Sequence, residues 1–150
     1  MRARNGQAGF SLIELLIVVA IIGIIVAIAA PNYRASKRAA NEASAISSLR
    51  SIGSAQLTYQ QVNGNGVNFA SSLVELGPGG ANLLDNVMGS AAVVTKSGYQ
   101  YSMTGGGATF EANADPVTPG TTGVRHFFMN VPGVIRFDAA APADENDPPV

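Results

Sequence analysis

Cysteine is absent from the 150 residues, so no disulfide, thiolate nucleophile or thiolate metal site is open to this chain, and burial alone must hold its fold. Histidine occurs once, at His126, which excludes a metal site built from several imidazoles. That residue sits in a strand-like run beside Phe127 and Phe128, where a solvent-facing or loop position is the simplest reading. No Gly-x-Ser-x-Gly elbow accompanies it, and no glycine cluster is followed by Lys-Ser or Lys-Thr. The glycines therefore read as turns and not as a phosphate cradle. Charge is scarce, at 13% of residues and a net −1, which argues against a nucleic-acid partner. Aromatic residues make up 7%, too few to support electron conduction through stacked rings. With no catalytic constellation, no cofactor motif and no solenoid-length repeat, an enzyme is not the expectation.

What the chain does have is an uneven distribution of apolar residues. They make up 47% of the total, and between Phe10 and Ala30 only Ser11 and Glu14 are clearly polar. Those residues, 10–30, would form a helix of about 30 Å, enough to span a bilayer core. Ahead of them lies a basic leader, residues 1–9, with Arg2 and Arg4 and no acid. A secretory signal places its small-residue cleavage site after the apolar stretch. Here the small pair, Ala8-Gly9, precedes it. A cut there keeps the apolar segment on the mature chain, moves the net charge to about −3, and leaves the basic leader on the cytoplasmic side.

Pro31 lacks an N–H and is expected to kink a helix at the end of the apolar run. Residues 31–61 read as an amphipathic helix, with Ala35, Ala39, Ala43, Ile46, Leu49 and Ile52 recurring every three or four positions. Arg34, Lys37, Arg38, Glu42 and Arg50 fall between them, and Tyr33 and Tyr59 are placed as packing residues. The basic trio Arg34, Lys37 and Arg38 suits contacts with acidic residues of neighbouring subunits better than lipid headgroups or DNA. Gly64-Asn65-Gly66 should end the helix, and Ser72 with Glu75 resembles a capping box. Residues 62–138 read as a loop and a sheet. Tyr99, Tyr101 and Met103 alternate with polar residues, as do Phe110, Ala112 and Ala114 beyond a Gly105-Gly106-Gly107 turn. Runs from Val124 to Val131 and from Val134 to Phe137 flank a Pro132-Gly133 turn of type II character. Residues 139–150 are acidic and rich in Ala and Pro, and mobility is expected of them.

The run Gly9-Phe10-Ser11-Leu12-Ile13-Glu14-Leu15 resembles the processing motif of type IV prepilins and type II secretion pseudopilins. The resemblance extends over about the first fifty residues and takes in the leader, Gly23 and Pro31. It implies cleavage after Gly9 and N-methylation of the new terminal Phe10 by a prepilin peptidase/methyltransferase. It also implies a role in assembly for Glu14, whose carboxylate would pair with the freed amine of its own or a neighbouring chain. A carboxylate deep in lipid costs about 2.5–3.5 kcal/mol, so it needs such a partner unless it merely reaches the headgroup boundary. Gly23 and Pro31 would give the helix flexibility, either by unwinding on assembly or through a static kink.

In the head, Gly98-Tyr99-Gln100-Tyr101, Gly123-Val124-Arg125-His126-Phe127-Phe128 and Gly133-Val134-Ile135-Arg136-Phe137 are similar to the sheet region of pilin-like proteins. Major pilins often close their last loop with a disulfide, which this chain cannot make. Calcium, used there by some pseudopilins, would need a loop spacing that Asp138, Asp144, Glu145 and Asp147 do not show, so no metal is expected. The resemblance implies an α+β pilin fold, a long N-terminal helix packed on a roughly four-stranded antiparallel sheet. It implies a structural subunit of a type IV pilus, serving adhesion or motility, or alternatively a pseudopilin forming a periplasmic piston. Its partners would be other pilin subunits, the peptidase, and an inner-membrane assembly platform with its ATPase. The chain would start as a single-pass inner-membrane protein with its head in the periplasm, and end in an extracellular pilus or a periplasmic pseudopilus.

Overall fold

A computed structural model describes residues 9–131 and 133–150, in two compact units, Met1–Ser36 and Lys37–Val150. The leader up to Ala8, and the proline of the expected Pro132-Gly133 turn, lie outside the described residues. One helix, α1 (Leu12–Val62), supplies the backbone of the first unit and enters the second.

Within the first unit every described residue is exposed, apolar ones included. An 18-residue window there has a mean hydropathy of 3.2, making the helix long and apolar enough to cross a membrane. The helix runs unbroken through Pro31. Pro31 has no N–H to offer the Ala27 carbonyl, and the next carbonyl, that of Ile28, accepts from Asn32 Nδ2 at 3.2 Å.

In the second unit α1 buries Glu42, Ala45, Ser48, Leu49, Ile52, Ala55 and Gln56, a stripe of helical period. This face is rotated from the one expected. Ala35, Ala39 and Ala43 are exposed, Ile46 is half-buried, and only Leu49 and Ile52 belong to both sets. Alanine loses little by staying in water, whereas Glu42 and Gln56 of the true stripe each find hydrogen-bond partners. Tyr33 is exposed rather than packed, and Tyr59 is half-buried. Full burial of Leu49 and Ile52 stabilises the head by about 1.5–3 kcal/mol each.

The sheet has five strands, one more than expected, in the order β1 (Val93–Lys96), β2 (Tyr99–Gly106), β3 (Thr109–Pro116), β4 (His126–Asn130) and β5 (Ile135–Asp138). Every neighbouring pair is antiparallel. The added strand, β1, joins β2 through Ser97 and Gly98, whose φ values of 50° and 74° make a tight two-residue turn. Tyr99, Tyr101, Met103, Phe110, Ala112, Ala114, Phe127, Met129 and Ile135 are the buried alternate residues, and they share one core with the α1 stripe. In register, Ala114 sits opposite Phe127 and Ala112 opposite Met129. Small residues on β3 thus make room for large ones on β4.

Between helix and sheet, Asn63 N–H and Gly64 N–H both reach the Tyr59 carbonyl and Gly66 N–H reaches that of Gln60, closing α1. The short helix α2 (Leu73–Leu76) follows. Its expected capping box does not form, because the Ser72 side chain caps nothing. Glu75 instead accepts from Ser71 N–H and Ser71 Oγ, and from the Tyr59 hydroxyl. Gln56, fully buried, bonds both the N–H and the carbonyl of Ala70 at 2.8 and 3.0 Å, fixing this connection on the helix. The segment 139–150, read from composition as mobile, returns to β5. Phe137 N–H donates to the Pro148 carbonyl and Val150 N–H to the Ile135 carbonyl.

Candidate functional site

Helix α1 begins just past the Gly9-Phe10 pair, and both of those residues are exposed, Phe10 at 89%. Leu15 N–H bonds the Ser11 carbonyl, which makes Ser11 the residue that opens the helix. Glu14 then lies three residues inside, and its Oε2 accepts the Ser11 N–H at 2.9 Å. A glutamate at this position satisfies an orphan amide and sits at the positive end of the helix dipole. The uncut chain therefore already occupies the Glu14 carboxylate with a local donor one residue beyond Phe10. Gly23 lies within α1, with open space where a Cβ would go, and Pro31 lies eight positions further along. Glu14, Gly23 and Pro31 thus share one exposed, apolar helical segment, and Gly9 and Phe10 lie just ahead of it.

A second polar constellation was not foreseen. It anchors α1 in the second unit to residues 117–125, the connection from β3 to β4. Arg38 Nη1 donates to the Gly120 carbonyl at 3.0 Å and Asn41 Nδ2 to the Thr122 carbonyl at 2.7 Å. Glu42, only 9% exposed, accepts the Val124 N–H at 2.9 Å, the Arg125 N–H at 3.3 Å and Arg125 Nε at 2.8 Å. Burial pushes its carboxyl pKa up, but the Val124 amide and the Arg125 side chain and amide outweigh that and hold it below the ordinary value. The guanidinium of Arg125 lies 5.3 Å from the ring centre of Phe127 and 5.2 Å from that of Phe137, within cation–π range of both. Tyr99 completes the group by donating to the Arg125 carbonyl at 2.8 Å, and a Cβ at Gly123 would run into the Tyr99 ring. Arg38 Nη1 thus also has a bond inside its own chain, on a main-chain carbonyl. The one signal available in the sequence was the spacing of Arg38, Asn41, Glu42 and Ala45 along a single face.

His126 is half-buried on β4 and its Nδ1 lies 2.6 Å from Asp115 Oδ1, so it is neither solvent-facing nor in a loop. The three aspartates of 138–147 turn onto backbone amides: Asp138 accepts from Ala140 and Ala141, Asp144 from Asn146, and Asp147 from Asp144. Among the described residues no three His, Asp or Glu side chains converge on a point that would hold a metal ion.

An exposed apolar helix opened by an acid in its first turn, joined to an α+β head, is consistent with the pilin fold and suggests membrane anchoring. The comparisons point the same way. The family model described as a prokaryotic N-terminal methylation motif matches residues 4–30. The chain is 39% identical over 74 residues to the type IV wide pilus major component PilA4 of Thermus thermophilus, covering 49% of this chain and 56% of that protein. It is 33% identical over 63 residues to the type II secretion system core protein G of Escherichia coli, covering 42% of this chain and 43% of that protein. The chain spans about half the length of the curated relatives it matches. No solved structure matches it significantly. By motif and by relatives, this chain is similar to type IV pilins and type II secretion pseudopilins, which are structural subunits.

Proposed function

We propose that this chain is a structural subunit of a type IV pilus, cut by a prepilin peptidase after Gly9, N-methylated at Phe10 and polymerised through its N-terminal helix. The observation that carries the reading is Glu14, a carboxylate in the first turn of a helix whose opening segment, up to residue 30, is otherwise apolar and exposed throughout. Hydrolysis of the Gly9–Phe10 peptide bond frees an amine one turn from Glu14. That amine, or its counterpart on an adjacent subunit, is a stronger partner than the neutral Ser11 amide, because both groups then carry charge. Pairing between chains sets the axial stagger at which a new subunit stops.

The apolar segment of residues 10–30 gains little by leaving lipid for the filament interior, since one is as apolar as the other. Close helix packing and the Glu14 pairing tip that balance, and an inner-membrane platform with its ATPase supplies the work of extraction. Before assembly the chain is a single-pass inner-membrane protein with its leader in the cytoplasm and its head in the periplasm. Gly23 and Pro31 are the points at which the helix adapts when subunits pack. The relation to core protein G favours a second reading, a pseudopilin that polymerises within the periplasm.

Mass spectrometry of the chain isolated from cells tests processing. The expected N-terminus is a methylated Phe10; a chain that retains Met1, or begins beyond Ala30, refutes the proposal. Glu14→Ala should be processed like the parent but assemble poorly, and normal filaments from that variant would exclude the pairing. Electron microscopy of labelled cells separates the two readings, by surface filaments or their absence.

A further inference from the structure

The sheet has two edges, and they are treated differently. At β1 the edge is four residues long and bears Lys96, 3.6 Å from Asp85. Short edges carrying lysine are poor templates for strand addition. At β5 the edge is covered by residues 147–150. Phe137 N–H donates to the Pro148 carbonyl and Val150 N–H to the Ile135 carbonyl, each at 3.0 Å, on either side of the antiparallel bridge between Arg136 and Pro149. Arg136 Nη1 adds a bond to the Asp147 carbonyl at 2.7 Å. The approach is shaped by a tight turn in which Asp144 N–H reaches Asp147 Oδ2 and Asn146 N–H reaches Asp144 Oδ1, both at 2.7 Å.

The two prolines decide what this covering segment can do. The bonded positions flank the Arg136–Pro149 pair, so that pair is of the non-hydrogen-bonded kind and Pro149 turns its own nitrogen to the outer side. With no N–H there, the outer edge lacks the donor that a further strand would need. Pro148 faces β5 and likewise has no donor, so the Phe137 carbonyl receives no bond in return from it. The segment therefore ends the sheet while holding it by few main-chain bonds.

We propose that β5 is a strand-accepting edge whose occupant is the Asp147–Val150 segment, seated in cis here and exchangeable with the same segment of a second copy, and that Pro148 and Pro149 make this occupant a terminator. Strand acceptance draws on main-chain bonds, and the Arg136 guanidinium adds one more to a main-chain carbonyl, that of Asp147. The terminator keeps heads held at high local concentration from pairing edge to edge. The inference stands apart from filament assembly, because it concerns the sheet alone.

The test uses the full chain in detergent. A variant lacking Asp147–Val150 should bind a fluorescent peptide copying residues 143–150 saturably, with the Phe137 amide regaining slow hydrogen exchange. The intact chain should bind it at least about tenfold more weakly, because its tethered segment competes at high effective concentration. A shortened chain that neither takes the peptide nor self-associates overturns the proposal. Should that variant fail to fold, the double variant Pro148→Ala, Pro149→Ala decides, since it keeps every bond to β5. It should hold the Phe137 amide protected yet form larger species than the parent on size exclusion. If it stays as monodisperse as the parent, the terminator role is wrong.

Discussion

Glu42 shows how a single side chain can invert a hydropathy reading. It lies among exposed-looking polar positions on the helix, yet it is buried and takes three hydrogen bonds from residues 124 and 125. A buried carboxylate with good donors is held ionised, and losing its partner leaves those donors unsatisfied. Because the folded pKa lies below the ordinary value of 4.5, the stabilisation is fully present above that value and is lost as pH falls through the folded one. Glu42→Gln should cost about 1–3 kcal/mol at neutral pH, seen as a lowered melting temperature in detergent. The difference from the parent should shrink as the pH falls below the ordinary value and through the folded one. A constant difference across that range would mean that the Glu42 charge contributes nothing. The sequence hid this residue because its partner, Arg125, is 83 positions away. Glu14, by contrast, stood out in the sequence, since an acid in a lipid-like run needs either a partner or the headgroup boundary.

At the scale of elements, what the sequence revealed depended on period. The alternations of β2 and β3 were plain because large and small apolar residues interleave with polar ones in steps of two. Strand β1 escaped because its four residues, Val-Val-Thr-Lys, are too few to establish a period. Its signal was the Ser97-Gly98 pair, a two-residue hairpin connection. In α1, counting alanine as apolar rotated the expected face, and only tertiary partners corrected it. The first half of the same helix carries the most direct test at this scale. Gly23 has an ordinary helical backbone and free space for a side chain, so Gly23→Ala should stabilise the helix there by about 1 kcal/mol. If the Gly23–Pro31 stretch unwinds on assembly, filaments of this variant should need more force to extend in a single-filament pulling experiment. Unchanged extension would favour a static kink.

For the molecule as a whole, the absence of cysteine makes the core answerable for stability, and every buried apolar residue of that core lies at or beyond Ala45. Residues 9–36 contribute none of it. A fragment beginning at Asn32 therefore loses no core contact. It also begins well, because asparagine is among the best residues at a helix start, where its side chain accepts from the first free amides. Against that, Arg34, Lys37 and Arg38 would stand in the first turns, where the positive end of the helix dipole disfavours cations by a few tenths of a kcal/mol each, on the order of 0.3–1. Fraying should stop at Arg38, which is bonded to the Gly120 carbonyl, with Asn41 and Glu42 holding the next turn. The fragment is expected to be soluble and monomeric by analytical ultracentrifugation and to unfold in one cooperative step in urea. It no longer carries the Ile, Leu and Val side chains of residues 10–30, which the whole chain leaves exposed. Persistent aggregation of this fragment would mean that the head needs the apolar helix for its own fold, and the separation of anchor from head would have to be abandoned.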